Sequence, residues 1–406
     1  MRFKPSLFAL ALAAGFALSG CGSKDKEATQ APATGDAAAT AAPVTAAPAS
    51  TAIPPPPQLN ARSFIVIDHE SGRVLAALEP DSRQEPASLT KLMTAYGVFK
   101  ALQEGRIKLT DMVTISENAW KQEGSKMFIE VGKQVSVENL IEGMIVQSGN
   151  DATVALAEKV GGNEQTFVQM MNTYAKQLGM TGSHFMNSAG MPDPEHYMTA
   201  RDAATLSSAL IHEFPEYYKW YSQKEFSWNG ITQQNRNGLL WRDPTVDGIK
   251  TGHTETAGYC LITSAKRDGM RLVSVVLGTE SMRAREDASS ALLNYGFNFF
   301  ETKRIYAAGQ PLTTMRVWKG KQDEVGLALK RDLYVTSQRG QVSNVKAEFE
   351  LPQRLVAPLA ANQPVGKAKV VVDGATIATY DLYPAADVPP AGFFGRAWDS
   401  LRLLFN

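Results

Sequence analysis

Apolar residues along this chain fall into three arrangements. Leu7 to Leu18 is an apolar run of twelve residues. It is too short to cross a bilayer, and Arg2 and Lys4 before it supply the charged n-region of an export signal. From Phe64 the runs shorten. Phe64-Ile65-Val66-Ile67 predicts a strand, and Ser71-Gly72 turns it back into Val74-Leu75-Ala76-Ala77. Pro86 sits just inside a helix predicted to run to Gly105, with Leu92, Tyr96 and Phe99 as its buried stripe. Helical spacing recurs over 137–147, 152–160 and 164–178; in the last, Phe167, Met171, Tyr174 and Leu178 fall three and four apart. Strands are predicted at 246–249, 259–265 and 272–278. A helix over 283–301, burying Ala288, Leu292, Tyr295 and Phe299, closes this part.

Beyond Lys303 the period changes to short alternating segments, including 333–336, 345–350 and 369–372. Asp373-Gly374 is a two-residue hairpin turn. The pattern therefore predicts an α+β domain over 59–302 followed by a small all-β domain over 303–388. A last apolar set, Phe394, Trp398, Leu401 and Phe405, has helical spacing within 391–406, opposite Arg396, Asp399 and Arg402. That arrangement suits a helix lying in a membrane interface, or a terminal helix docked on its own domain.

Charge changes the picture little. The 406 residues carry 41 Lys+Arg and 41 Asp+Glu, which excludes a strongly basic nucleic-acid binder. Composition changes it more. Residues 22–58 hold 12 Ala, 7 Pro and 5 Thr, and no aromatic occurs between Phe16 and Phe64. Such a segment cannot offset its ordering entropy by burial, so it reads as a disordered tether with a reach of roughly 120 Å. It begins after Leu18-Ser19-Gly20-Cys21, which looks like a bacterial lipobox. Small residues before the cysteine and a polar tether after it favour that reading over an ordinary secretory signal. Residues 1–20 are then removed and Cys21 is lipidated. The mature chain keeps 39 Lys+Arg against 41 Asp+Glu, a formal charge of −2. Cys260, the second of two cysteines, lies in an apolar run and reads as a buried small hydrophobe.

Three short motifs carry chemistry. In Pro86-Ala87-Ser88-Leu89-Thr90-Lys91, the lysine shares a helix face with the serine three residues earlier. A serine hydroxyl needs a base, and a desolvated lysine with a cationic neighbour can be one. Amide donors at the helix start favour an oxyanion. Ser148-Gly149-Asn150 offers a proton relay and a substrate-binding amide; taken singly it is also a simple turn. Lys250-Thr251-Gly252 offers a carboxylate site and, at glycine, close backbone approach; singly it is also a strand end. Their order along the chain makes coincidence improbable.

The chain resembles the serine-type D-alanyl-D-alanine carboxypeptidases, the low-molecular-mass penicillin-binding proteins. The resemblance covers residues 60–406. It is carried by the three motifs, by Gln147-Ser148-Gly149-Asn150-Asp151-Ala152, by Asn235-Arg236-Asn237-Gly238-Leu239-Leu240-Trp241, and by Val246 through Thr254. It implies a penicillin-binding/β-lactamase-like domain, an antiparallel sheet flanked by helices with a helical subdomain, followed by a β-sandwich. It implies Ser88 as acylated nucleophile, Lys91 as its base, and Ser148 and Asn150 in the proton network and on the substrate. Lys250, Thr251 and Gly252 would hold the substrate's carboxylate end. The backbone amides of Ser88 and His253 would form the oxyanion hole. Arg201, in Thr199-Ala200-Arg201-Asp202, matches an arginine near the family's carboxylate end; beside an acid it is equally a structural ion pair. The implied substrate is a peptidoglycan pentapeptide ending in D-Ala-D-Ala, with β-lactams as covalent inhibitors. The segment 120–128, expected to border the site, is shorter than its counterpart in similar members. The C-terminal helix stops early, and the family ordinarily lacks a lipobox, so the lipid is expected to take over anchoring.

Rival readings are a class A β-lactamase, a cross-link endopeptidase and a non-catalytic wall-binding scaffold. The first lacks a counterpart of its Glu-containing deacylation loop here, and the last has no need to keep Lys91, Ser148 and Lys250 together. The five histidines contain no i, i+4 pair, and no metal or cofactor is expected. Only His253 is placed at the site.

Overall fold

The computed structural model describes residues 53–341 and 344–404. The signal segment, Cys21 and Phe405 lie outside them. The strand Ser63–Asp68 is buried along its whole length, so both faces must be apolar. Phe64 and Val66 enter one core while Ile65 and Ile67 enter another, as a two-residue side-chain period requires. This strand is second in a five-stranded sheet ordered Val74–Leu78, Ser63–Asp68, Met270–Thr279, Gly258–Arg267, Val246–Thr254. All its pairings are antiparallel. The Lys-Thr-Gly strand is thus a sheet edge, with a free side for a partner.

Helix Met282–Phe299 covers one face through Ala288, Leu292 and Leu293, and Ser281 caps it by accepting from the Ala284 amide at 3.1 Å. The larger core on the other face takes helices Lys91–Gln103, Val137–Ile145, Asn150–Gly161 and Glu164–Gln177. It also takes Ala200–Glu213, which the pattern does not predict. That helix buries Leu206, Leu210 and Ile211 among Ala203, Ala204 and Ser207, small residues that dilute the hydrophobic contrast.

Two boundaries differ from expectation. Residues 53–58 do not belong to the tether: Ile53 packs against the second core, and Tyr295 Oη donates to the Pro54 carbonyl at 3.2 Å. A proline run loses little entropy on docking, which composition alone does not register. The expected 302/303 boundary falls inside the strand Phe300–Tyr306, because the apolar run through Phe299 and Phe300 hides the switch of period.

That strand pairs with Leu333–Gln338. Six further strands form a sheet over a third core that includes Val317, Leu327, Val370 and Leu382. Asp373 and Gly374 both have positive φ, 50° and 87°, as a primed hairpin turn requires. A polar network ties the strand pair to the main sheet. Asp68 Oδ2 accepts from Thr302 Oγ1 at 2.8 Å, and Thr336 Oγ1 lies 2.6 Å from Ser71 Oγ.

The helix Phe393–Arg402 buries no residue. Phe394 is 86% exposed and Trp398 57%. The Lys319 amide donates to Asp399 Oδ2 at 2.6 Å, so the helix is held by its polar side and its apolar side faces outward.

Candidate active site

Pro86 opens a single 3-10 turn, Ala87–Thr90, and the α-helix starts only at Lys91. In a three-residue turn, positions i and i+3 eclipse one another. Lys91 Nζ therefore stands 3.0 Å from Ser88 Oγ. The turn is clamped from two sides. Ala87 has φ 47°, a conformation side chains rarely adopt. Gly190 comes so close below it that a Cβ there would sit 1.8 Å from the Ala87 carbonyl oxygen. On the other side, a Cβ on Gly252 would lie 3.0 Å from the Pro86 oxygen and 3.2 Å from Leu89 Cγ. The glycine of Lys250-Thr251-Gly252 thus lets the edge strand press against the serine turn.

Lys91 is 1% exposed. Its Nζ also meets Asn150 Oδ1 at 2.7 Å and the Ala189 carbonyl at 2.6 Å. Burial, and then the Arg236 charge, push its pKa down to about 7, against the opposing pull of Asp151. A neutral amine has two N–H groups and one lone pair. The carbonyl and amide oxygens can only accept, so they take the N–H groups, and the lone pair is left for the Ser88 hydroxyl.

Ser148 occupies the turn between helices Val137–Ile145 and Asn150–Gly161, with φ 65°. Its Oγ is buried without a hydrogen-bond partner among the described residues, and the residue lines the same cleft as Ser88. Asn150 joins the base through its side chain. Its Nδ2 donates to the Glu123 carbonyl at 2.6 Å and reaches Met191 Sδ at 3.6 Å, while Oδ1 serves Lys91. Both ends of the amide are engaged, so Asn150 braces the lysine against the segment that holds Glu123.

The cleft, about 500 Å³, is lined by Ser88, Ser148, Thr251, Gly252 and His253 together with Ser125, Arg236 and Arg285. The 120–128 segment does border it, through Gly124 and Ser125. Lys250 lies behind the wall, 4% exposed. Burial holds its pKa well below the usual lysine value, with Lys91, Arg236 and Arg285 adding to the effect. The exposed His253 ring lies against Tyr259, centroids 4.0 Å apart.

Arg201 is not among the residues lining the cleft. Its Nε and Nη2 donate to the two carboxylate oxygens of Asp81 at 2.7 and 3.0 Å, so the ion-pair alternative describes it, with Asp81 rather than Asp202 as partner. Asp202 instead caps the 182–183 turn, accepting from the Gly182 amide and Ser183 Oγ. The arginines at the cleft are Arg236 and Arg285. Arg236 Nη1 donates to Ser125 Oγ at 2.7 Å. Arg285, 2% exposed, donates to the carbonyls of Gly252 and Arg236 at 3.2 and 3.3 Å. Arg236 was within reach of sequence reasoning, since it stands in the Asn-Arg-Asn-Gly segment. Arg285 carries no local signal; only the packing of its helix on the sheet brings it there.

The arrangement joins a hydroxyl, a buried amine with a lowered pKa and several cations around one opening. It can deprotonate the serine and receive an anionic group beside it. Residues 49–281 match the D-alanyl-D-alanine carboxypeptidase family, and residues 300–390 match the C-terminal domain of penicillin-binding protein 5. The D-alanyl-D-alanine carboxypeptidase DacA of Haemophilus influenzae is 47% identical over 354 residues, covering 86% of this chain and 90% of that protein. The D-alanyl-D-alanine carboxypeptidase DacF of Bacillus subtilis is 33% identical, covering 82% and 87%. The crystal structure of penicillin binding protein 5 from Haemophilus influenzae matches with a TM-score of 0.75 at 47% identity, over 82% of this chain and 99% of that one. Penicillin-binding protein D2 from Listeria monocytogenes, solved in its ampicillin bound form, matches with a TM-score of 0.56 at 30% identity, over 60% of this chain and 100% of that one.

Proposed function

The chain belongs to the D-alanyl-D-alanine carboxypeptidase family, and on that premise we propose that its cleft cuts the terminal D-Ala from peptidoglycan pentapeptide stems through an acyl-enzyme on Ser88. The observation that carries the assignment is the Lys91 amine, buried, with two acceptors on its N–H groups and its remaining direction toward Ser88 Oγ. Lys91 takes the hydroxyl proton as Oγ attacks the penultimate carbonyl. The amides of Ser88 and His253 receive the oxyanion. The leaving D-Ala amine is protonated through Ser148, a residue that lines the cleft. Water then hydrolyses the ester with Lys91 again as base. Thr251 and Arg236 at the wall, with Lys250 behind, receive the substrate's terminal carboxylate, which supplies the counter-charge that this cationic group calls for. β-lactams acylate the same serine.

The test is release of D-Ala from purified pentapeptide, with a fluorescent penicillin as label. A Ser88→Ala variant that still released D-Ala would sink the mechanism. Product analysis on cross-linked muropeptides separates this activity from endopeptidase activity, and a scaffold would yield no product from either.

Anchoring is a separate proposal. Leu18-Ser19-Gly20-Cys21 supports export and lipid attachment at Cys21, so that the enzyme works at the periplasmic face of a membrane. The outward Phe394, Trp398 and Leu401 support a second contact, with the helix lying in the interface. Cys21→Ser should block lipid labelling, and unchanged labelling refutes the lipobox. Deleting residues 391–406 in that background should release the protein from membranes.

A further inference from the structure

The residue after Asn150 does more than continue the helix. Asp151 is 1% exposed, yet its carboxylate faces a row of backbone amides. Oδ1 accepts from Met127 at 3.0 Å and from Ala152 at 2.9 Å; Oδ2 accepts from Phe128 at 2.9 Å and Ile129 at 3.2 Å. Three of these four amides belong to the segment whose Gly124 and Ser125 line the cleft. The held backbone is not relaxed: Phe128 has φ 65°, a costly conformation for a bulky residue that persists only where its surroundings impose it. The packing agrees. Met127 is fully buried, and a Cβ on Gly143 would lie 2.4 Å from its sulfur; one on Gly149 would lie 2.8 Å from Asp151 Oδ1. Asn150 fastens the same segment one turn earlier, its amide donating to the Ser125 carbonyl at 2.7 Å.

We propose that Asp151 is a positioning residue of this reaction: its single carboxylate fixes the 123–129 wall of the cleft and keeps a negative charge behind Lys91. The proposal rests on the carboxypeptidase reading with Lys91 as base. The charged and titratable groups facing Lys91 are Arg236, Lys250, His196 and Asp151. Of these Asp151 is the anion, and it opposes the lowering that burial and Arg236 impose on the amine. Wall and base are therefore set by one side chain. The neighbouring Asn150 ties the two together, bonding Lys91 with Oδ1 and the wall with Nδ2 and its backbone amide.

The test uses the full chain with Asp151→Asn and Asp151→Glu, reading kcat and KM for D-Ala release across pH, and the unfolding midpoint. Asn has one acceptor oxygen, and its amine would face the Phe128 and Ile129 amides donor to donor. For Asp151→Asn, kcat/KM should fall roughly ten- to hundred-fold with KM carrying much of the loss. Its acidic limb should move to lower pH. Asp151→Glu keeps the charge, so its limb should stay with the wild type while KM still rises, because the longer side chain displaces the wall. A folded Asp151→Asn with wild-type KM and an unmoved limb overturns the proposal. If Asp151→Asn does not fold, Asp151→Glu decides: a wild-type KM there overturns it. Failure of the underlying reading looks different, since the wild type itself would then release no D-Ala.

Discussion

Lys91 Nζ and Ser88 Oγ stand 3.0 Å apart, with the lysine out of water and its pKa pushed down to about 7. A base must be neutral to accept the hydroxyl proton. The rate of acylation by a penicillin should therefore fall as pH drops through about 7, and level off above it. Lys91→Arg, permanently charged, should lose about 10²- to 10⁴-fold. Stopped-flow acylation rates against pH check both; a flat profile from pH 5 to 9 rules Lys91 out as the base.

Arg201 and Arg236 should behave oppositely. Arg201 is exposed and already satisfied by Asp81. Arg201→Ala should leave kcat/KM within about two-fold and change stability by ~0–1 kcal/mol, as surface ion pairs do.

Arg236→Ala should raise KM for pentapeptide by about ten-fold or more, the scale of one charge-assisted hydrogen bond. The loss should shrink for a substrate amidated at its C-terminal carboxylate. Equal losses on both substrates would mean that Arg236 acts only by holding Ser125.

Gly190→Ala tests the clamp on the serine turn. The added methyl would need the space of the Ala87 carbonyl, and φ 87° is strained for alanine. The turn must move, at a cost of about 3 kcal/mol. Denaturant midpoints should fall, and penicillin labelling at Ser88 should slow in the fraction that folds. Wild-type labelling would show that the turn tolerates displacement.

Strands and helices with strong apolar contrast were legible from the chain, as Phe64–Ile67 and the Asp373-Gly374 turn show. The helix Ala200–Glu213 was not, because alanines, Asp202 and Ser207 share its buried side with Leu206, Leu210 and Ile211 and dilute the apolar period. At the site, Ser88, Ser148 and Thr251 sit in short motifs, and the fold brings them to one cleft. Arg285 and the grip of Asp151 on 127–129 depend on pairs far apart in sequence, which spacing cannot encode. Arg201 is the converse case: the sequence offers the adjacent Asp202 as its ion-pair partner, while the structure pairs it with Asp81, 120 residues away.

Acid stability should be governed by two histidines outside the chemistry. His196 Nε2 lies 2.9 Å from Thr90 Oγ1, just behind the serine turn, and its ring packs edge-on against Phe185. Burial holds it down to about 4, and burial does the same for His69. A histidine depressed in the folded state is neutral in both states above about 6.5 and costs nothing there. Below 6.5 the unfolded chain binds a proton that the folded chain refuses, so stability falls until the folded form protonates near pH 4. For His196 the full loss is about 3 kcal/mol. Unfolding free energy measured between pH 7 and 4 should therefore decline, and His196→Gln should flatten part of that slope, whatever it costs at pH 7. A His196→Gln slope identical to the wild type would assign the acid loss to other groups.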